Sequence, residues 1–379
     1  MKIIVLGAGL VGGHIAIDLA KGKNFNVTVA DISSDNLEKI KYPALQKIQK
    51  DLSDPVNVKN LVMNYDMAVS AVPGFMGFQT LKAIIETKKN VVDIAFFPED
   101  PFILDELAKE MGVTAVVDFG VAPGMSNVLI GYAEHLLDET LNATIYVGGL
   151  PKVREWPYEY KAVFSPLDVI EEYTRPARYV ENGHLVTREA LSDPEFHFFP
   201  GVGTLQSFNS DGLRSLAKTI KCPNIKEKTL RFPGHIDIMA ILRETGFFSK
   251  EEIEINGTNI RPLDFTAKLL FPKWKLKEGE EDITVMRVTV DGKKDGKMLR
   301  YNYDLFDQYD PITKTHSMAR TTGYTATVGL RMIAEGLYSR KGLSVPEFVG
   351  MQPECVKYLL KGLAERGVIY KETIEEINY

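Results

Sequence analysis

Three glycines and one acid near the start of the chain have the types and spacing to hold a dinucleotide. Gly7, Gly9 and Gly12 form G-x-G-x-x-G, with Leu10 and Val11 inside the loop, and Asp31 lies 19 residues past Gly12. Gly7 permits a tight strand-to-helix turn, and Gly9 lets the backbone approach a pyrophosphate. Gly12 allows helix and strand to pack closely, with the phosphate charge at the helix N-terminus. An acid at Asp31 accepts hydrogen bonds from a ribose 2′-OH and repels a 2′-phosphate, so NAD rather than NADP is the expected cofactor. The motif alone is a weak signal that a glycine-rich turn would also satisfy. Its weight comes from the elements around it.

Those elements are in register. Ile3–Leu6 is a short apolar run suited to a buried parallel strand, and His14–Ala20 continues with helical periodicity. Val27–Ala30 is a second strand ending at Asp31. Beyond it, the pattern predicts a helix over 36–40 and a third strand over 45–51. Asp51 would then face the adenine side of the cofactor, or cap a helix opened by Asp54-Pro55. A fourth strand, Met67–Val72, stops at Pro73-Gly74, so Ala71, Val72 and Pro73 lie where the nicotinamide half of a cofactor runs. A helix over 78–87, a strand over 90–95 and a helix over 101–111 follow. The sixth strand, Thr114–Asp118, ends in FGVAPGMSN, where Gly120 opens a helix N-terminus beside the nicotinamide. Six strands alternating with helices make a doubly wound parallel sheet of the Rossmann α/β class.

The pattern changes after Gly131. Leu141–Gly148 alternates as a strand, and from there to Tyr309 strands alternate with loops. Ile283–Val290 and Leu299–Phe306 are expected to pair as a hairpin through DGKKDGK. This second domain is α+β with a mostly antiparallel sheet, and its exposed edges favour a homodimer paired across a two-fold axis. Helical periodicity returns near Met318 and again over Glu347–Arg366. The expected division is a dinucleotide-binding domain over 1–125, a substrate and dimerisation domain over 126–315, and C-terminal helices over 316–379 packing back on the first.

Composition narrows the partners. A net charge of −6 and a pI near 5.7, without a Lys/Arg run, argue against a nucleic-acid surface. No stretch approaches the roughly 18 apolar residues of a membrane span. Cys222 and Cys355 are isolated, with neither metal-ligand spacing nor a disulfide framework. The expectation is a cytoplasmic enzyme without a metal, acting on a small molecule.

Several non-glycine stretches match a known family in order: VLGAGLVG, DFGVAPGMSN, YVGGLP, YEYKAVFS, RFPGH and MARTTGYTATVG. On these the sequence resembles the saccharopine dehydrogenase-like family, with its lysine 6-dehydrogenase branch nearest. The resemblance implies a Rossmann domain carrying an inserted α+β domain, with the site between them. It also implies NAD-dependent oxidation of the ε-amine of L-lysine to allysine, which cyclises to piperideine-6-carboxylate. The saccharopine reductase branch has Asp where this chain has Ala122 and Cys where it has Val147. Alternatives are a saccharopine- or carboxynorspermidine-type reductase, or a cofactor-binding protein without catalysis.

Amine oxidation by hydride transfer requires a base to take the ammonium proton. Asp93, at the end of the fifth strand, suits that role or a strand-end cap; Asp118 suits a cap. His235 in RFPGH suits proton transfer near neutral pH, or is a turn histidine satisfied by its neighbours. An α-carboxylate calls for a bidentate guanidinium, for which Arg214 and Arg231 are the candidates, the alternative being surface arginines. Asp211 would hold an α-ammonium or cap a helix, and Tyr160 would line the pocket or belong to ordinary aromatic core.

Overall fold

The computed structural model describes residues 1–22, 24–163, 166–277 and 279–378, so Phe164 and Ser165 at the end of YEYKAVFS lie outside the described residues. The chain forms two compact units, Met1–Leu136 with Ala319–Tyr370, and Leu137–Met318 with Lys371–Tyr379.

The first unit begins β1 (Lys2–Leu6), α1 (Gly12–Lys21), β2 (Asn26–Asp31), α2 (Ser34–Lys39), β3 (Gln46–Gln49) and α3 (Pro55–Val62). It continues with β4 (Met67–Ser70), α4 (Gly74–Glu86), β5 (Asn90–Asp93), a 3₁₀ turn, α5 (Asp105–Glu110), β6 (Thr114–Val116) and α6 (Met125–Leu136). Ile3, Ile4, Val5 and Leu6 are all fully buried, as a strand covered on both faces requires. The sheet is parallel throughout and ordered β3-β2-β1-β4-β5-β6, as a Rossmann fold demands. A seventh strand, Gly342–Ser344, joins it beside β6 from far along the chain. Its three residues are too short to give a periodic signal. The expected third strand over 45–51 is only Gln46–Gln49, a polar edge strand. The boundary expected after 125 falls instead after Leu136, because α6 stays with this unit. Gly131 lets it pack directly on the backbone of Glu347, from which a Cβ would lie 2.4 Å.

The second unit opens with β7 (Glu139–Pro151), α7 (Pro166–Thr174), β8 (Ala177–Glu181), β9 (His184–Arg188), β10 (Glu195–Phe199) and β11 (Gly203–Asn209). Then come α8 (Leu216–Thr219), β12 (Asn224–Arg231), α9 (His235–Glu244), β13 (Ile253–Ile255), β14 (Thr258–Ile260) and α10 (Pro262–Trp274). The long pair β15 (Asp282–Lys294) and β16 (Lys297–Gln308) follows. After α11 (Ser317–Ala334), the seventh strand β17 (Gly342–Ser344), α12 (Pro346–Gly350) and α13 (Pro353–Ala364), the chain ends in β18 (Tyr370–Glu376). The nine-stranded sheet runs β10-β11-β12-β7-β15-β16-β18, with β8 and β9 off that path. Most pairs are antiparallel, but β12 and β7 run parallel, so the sheet is mixed. The expected hairpin exists with a tighter turn. Pairing continues to Lys294↔Lys297 and leaves only Asp295-Gly296, both at positive φ, as a two-residue Asp-Gly turn prefers. The helices α7, α9 and α10 were not expected. They bury Tyr160, Tyr173, Ile236, Met239 and Trp274 against Phe208.

No helix among the described residues is long and apolar enough to cross a membrane.

Candidate functional site

The glycine loop has the geometry its spacing implies. Gly7 adopts φ 100°, and a Cβ there would meet the Ala71 carbonyl oxygen at 2.4 Å. A Cβ on Gly12 would lie 2.1 Å from the Gly7 carbonyl oxygen, so this glycine sets the helix-to-strand approach. Gly9 differs: no atom lies within 4 Å of its would-be Cβ, which leaves room for a pyrophosphate against the backbone. The N-cap of α1 is Val11, whose side chain caps nothing, and the first turn carries no acid. A phosphate charge is favoured at such an end. Leu10 beside it is 58% exposed. These residues fit a dinucleotide.

Asp31 closes β2 next to the loop. One carboxylate oxygen accepts from the Ala8 amide at 2.7 Å and the other from the Ser33 amide at 2.8 Å, which holds the acid at the strand end. Asp51 is neither on a strand end nor a helix cap. β3 stops at Gln49, the exposed Asp51 carboxylate accepts from Ser53 N, and Asp54 caps α3 instead. Hydrogen bonds from Ser53 lower the Asp51 pKa. The adenine-side role expected of Asp51 has no support in this geometry. Ala71 donates its amide to the Leu6 carbonyl at 2.8 Å, Val72 is buried, and Pro73 is the N-cap of α4. Gly120 sits in a tight turn, its amide on the Pro123 carbonyl and its carbonyl accepting from Met125 N. Asp93 ends β5 fully buried, with one carboxylate oxygen accepting from Ala95 N at 3.0 Å. That hydrogen bond makes a strand-end turn and is compatible with either reading of Asp93. Asp118 is also buried, with φ 52°.

In the second unit the structure brings Arg231, His235 and Tyr160 together in a dry cluster. Arg231, at the end of β12, is 2% exposed. It donates to Glu172 Oε2 at 2.6 Å, to the Tyr173 hydroxyl at 3.2 Å and to the Leu230 carbonyl at 2.9 Å. Its guanidinium lies 4.6 Å from the Tyr160 ring centroid. Burial opposes that charge, but Tyr173, Tyr160 and Glu172 outweigh it and hold the guanidinium protonated. Arg231 is thus a structural cation neutralised by Glu172, and the expectation that it grips a substrate carboxylate is corrected.

His235 opens α9, with Nδ1 2.8 Å from the Tyr158 carbonyl and Nε2 2.9 Å from the Tyr173 hydroxyl. A carbonyl only accepts, so Nδ1 carries the proton and Nε2 accepts from Tyr173. Burial first, and then Arg231, push its pKa down to about 3. Burial and the adjacent guanidinium hold the ring neutral and weakly basic, so the proton-transfer role expected of His235 is corrected. Tyr160 is core, its ring 5.0 Å from His235 and 5.5 Å edge-on to Trp274.

The remaining candidates separate. Asp211 is held bidentately by Arg178, at 2.8 and 2.9 Å, so its expected role toward an α-ammonium meets an existing ion pair. Arg214 lies two residues past Gly212, half-buried, with φ 55°.

Sequence reasoning missed Glu172, Tyr173 and Arg178, which lie on elements it did not foresee. It also missed Glu227, a buried acid on β12 whose carboxylate accepts from Ser210 Oγ at 2.7 Å and Gly212 N at 3.1 Å. A Cβ on Gly212 would lie 2.5 Å from that carboxylate, so a larger residue there would have to displace it. Burial pushes Glu227 up to about 8, the Ser210 hydrogen bond opposing only in part. A usable signal existed: Glu227, Thr229 and Arg231 alternate in EKTLR and so share one face of the strand.

Two family models match the chain. The one described as "Saccharopine dehydrogenase NADP binding domain" covers residues 3–116, and "Saccharopine dehydrogenase C-terminal domain" covers residues 120–368. Among curated proteins, the alpha-aminoadipic semialdehyde synthase of Arabidopsis thaliana is 27% identical over 57% of this chain. That match spans only 22% of the Arabidopsis protein's length. The carboxyaminopropylagmatine dehydrogenase of Synechocystis is 25% identical over 98% of both chains. The solved apo saccharopine dehydrogenase (L-Glu forming) of Saccharomyces cerevisiae superposes with a TM-score of 0.81 at 18% identity, covering 99% of each chain. At that identity the likeness speaks for the fold.

Proposed function

The chain belongs to the saccharopine dehydrogenase family, and from that premise we propose that it is a nicotinamide-dinucleotide-dependent oxidoreductase acting on an amino-acid amine. The observation that carries this reading is the glycine loop, sterically closed at Gly7 and Gly12 and open at Gly9, with Asp31 fixed beside it. We assign NAD as the cofactor, although the matching family model is described as NADP-binding. The residues after β2, Ile32-Ser33-Ser34-Asp35, contain no cation to meet a 2′-phosphate, and Asp31 would repel one.

The substrate in this reading is L-lysine, whose ε-amine loses a hydride to the nicotinamide and a proton to the base to give an imine, which water hydrolyses to allysine with release of ammonia. Bound nicotinamide would supply the hydride acceptor; Gly7, Gly9, Gly12 and Asp31 would hold its dinucleotide. Ala71, Val72, Pro73 and Gly120 follow the carboxyl ends of β4 and β6, where the nicotinamide half runs in such sheets. Asp93, at the end of β5, is the proposed acceptor of the ammonium proton, and Arg214 the proposed partner of the α-carboxylate. A second reading, reductive formation of a secondary amine, is favoured by the full-length match to a carboxyaminopropylagmatine dehydrogenase. Ala122 and Val147, in place of the polar residues of the reductase branch, favour simple amine oxidation. A steady-state panel of amino acids and aldehyde-plus-amine pairs with NAD, NADH, NADP and NADPH separates the two readings. Lysine-dependent NAD reduction supports the first, and aldehyde-dependent NADH or NADPH oxidation supports the second.

A further inference from the structure

Glu227 is a buried acid that neither the dinucleotide loop nor the proposed chemistry uses, and its neighbours show what it holds. Its Oε2 accepts from the Ser210 hydroxyl at 2.7 Å and from the Gly212 amide at 3.1 Å. Ser210 Oγ is also 2.7 Å from Thr229 Oγ1. Between those contacts, buried Asp211 is fixed by Arg178. Two bonds come from the guanidinium at 2.8 and 2.9 Å, and a third from the Arg178 amide at 3.3 Å. The loop after β11 is thus tied at three consecutive residues to β12 and β8, strands that pair antiparallel at Ile225 and Val180. Arg214 follows two residues later with φ 55°, a conformation that a non-glycine residue keeps only where its surroundings impose it.

We propose that Glu227 and Arg178 are positioning residues for substrate binding: by tying Ser210, Asp211 and Gly212 they hold the turn from which Arg214 meets the substrate α-carboxylate. This rests on the assignment of Arg214 to that carboxylate. A guanidinium grips a carboxylate best through two parallel hydrogen bonds, a geometry lost when the backbone beneath a long side chain shifts. Glu227 makes both loop contacts as an acceptor through one oxygen, so a glutamine amide oxygen can take its place. Arg178 works from the surface side, its side chain 50% exposed while Asp211 is buried.

The test is steady-state kinetics with L-lysine and NAD on Glu227→Ala, Glu227→Gln, Arg178→Ala and Arg214→Ala. Each alanine change at Glu227 or Arg178 is also combined with Arg214→Ala. Thermal melts verify folding first, and Arg178→Ala, at a half-exposed side chain, carries the test should Glu227→Ala fail to fold. The expected result is a KM for lysine raised about tenfold in Glu227→Ala and in Arg178→Ala, with kcat and the Kd for NAD held. Glu227→Gln should restore the wild-type KM. On the Arg214→Ala background either alanine change should add less than about twofold, because its effect passes through Arg214. If Arg214→Ala raises KM while the folded Glu227→Ala and Arg178→Ala variants keep the wild-type value, the inference alone is overturned. The same holds if their full effect persists without Arg214. A wild type that does not oxidise lysine, or an Arg214→Ala variant with wild-type KM, removes the underlying assignment and the inference with it.

Discussion

The Tyr173 hydroxyl donates to His235 Nε2 across 2.9 Å, and Arg231 Nε in turn donates to the Tyr173 oxygen at 3.2 Å. One carbonyl, that of Tyr158, fixes the direction of the whole chain by forcing the proton onto His235 Nδ1. The consequence is an acid-sensitive fold. His235 has a folded pKa near 3, below its ordinary value of about 6.5. The unfolded chain therefore binds the extra proton between those values, and stability falls as pH drops through that window by up to about 1.4 kcal/mol per unit. Replacing His235 with Gln should remove its share of that loss, read most clearly between about pH 3 and 4.5, where no opposing contribution from Glu227 remains. Melts at several pH values check this, and an unchanged acid slope in the variant would contradict it.

Glu227 acts with the opposite sign. Its folded pKa near 8 lies above the ordinary 4.5, so the folded chain holds a proton that the unfolded chain has lost. Its contribution is complete below pH 4.5 and is lost as pH rises toward 8. Between about pH 4.5 and 6.5 the two groups oppose each other, and above that window Glu227 acts alone. Glu227→Gln should flatten the loss of stability between neutrality and pH 8, measured as denaturation midpoints. A wild-type midpoint that rises over that interval would show Glu227 ionised in the folded protein.

The glycine loop separates folding from cofactor binding. Gly12→Ala places a Cβ 2.1 Å from the Gly7 carbonyl oxygen and should lower both stability and cofactor affinity. Gly9→Ala enters open space, so its melting behaviour should stay within about 0.5 kcal/mol of wild type. Its Kd for NAD should nevertheless rise about tenfold or more, equivalent to ~1.4 kcal/mol. Calorimetric titration with NAD distinguishes the two, and equal losses of stability would place Gly9 in the fold rather than at the cofactor.

The two arginines considered for substrate binding should behave differently. Arg231→Ala leaves Glu172, a quarter exposed, without its cation and should cost up to roughly 3 kcal/mol of stability. Arg214→Ala should leave the fold in place and raise KM for lysine, a charge-assisted contact being worth on the order of 2–5 kcal/mol. Thermal melts and steady-state kinetics on both variants decide this. A stable Arg231→Ala enzyme whose only defect is KM would restore Arg231 to the substrate.

What the sequence made legible was local. The spacing of Gly7, Gly9, Gly12 and Asp31 is contained in one strand-helix-strand unit, and its contacts arise within that unit and from the neighbouring β4. The cluster around Arg231 was illegible for the opposite reason. Its partners Glu172 and Tyr173 lie 59 and 58 residues earlier, on a helix that a pattern of strands and loops concealed. Asp211 looked free because Arg178, 33 residues before it, could not be placed opposite. Asp51 failed on a boundary, since β3 is a polar edge strand ending two residues sooner. His235 failed on burial: its residue type suits proton transfer, but desolvation and a neighbouring guanidinium lower its basicity.

The most direct measurement is the initial rate of NADH formation from L-lysine, compared with NADPH formation from the same substrate. NAD reduction that saturates with lysine and exceeds NADP reduction, and a kcat that falls by roughly 10²–10⁴ in Asp93→Asn, is the predicted result. No reduction of either cofactor by lysine, with turnover appearing only when an aldehyde and an amine are supplied with NADPH, would contradict it.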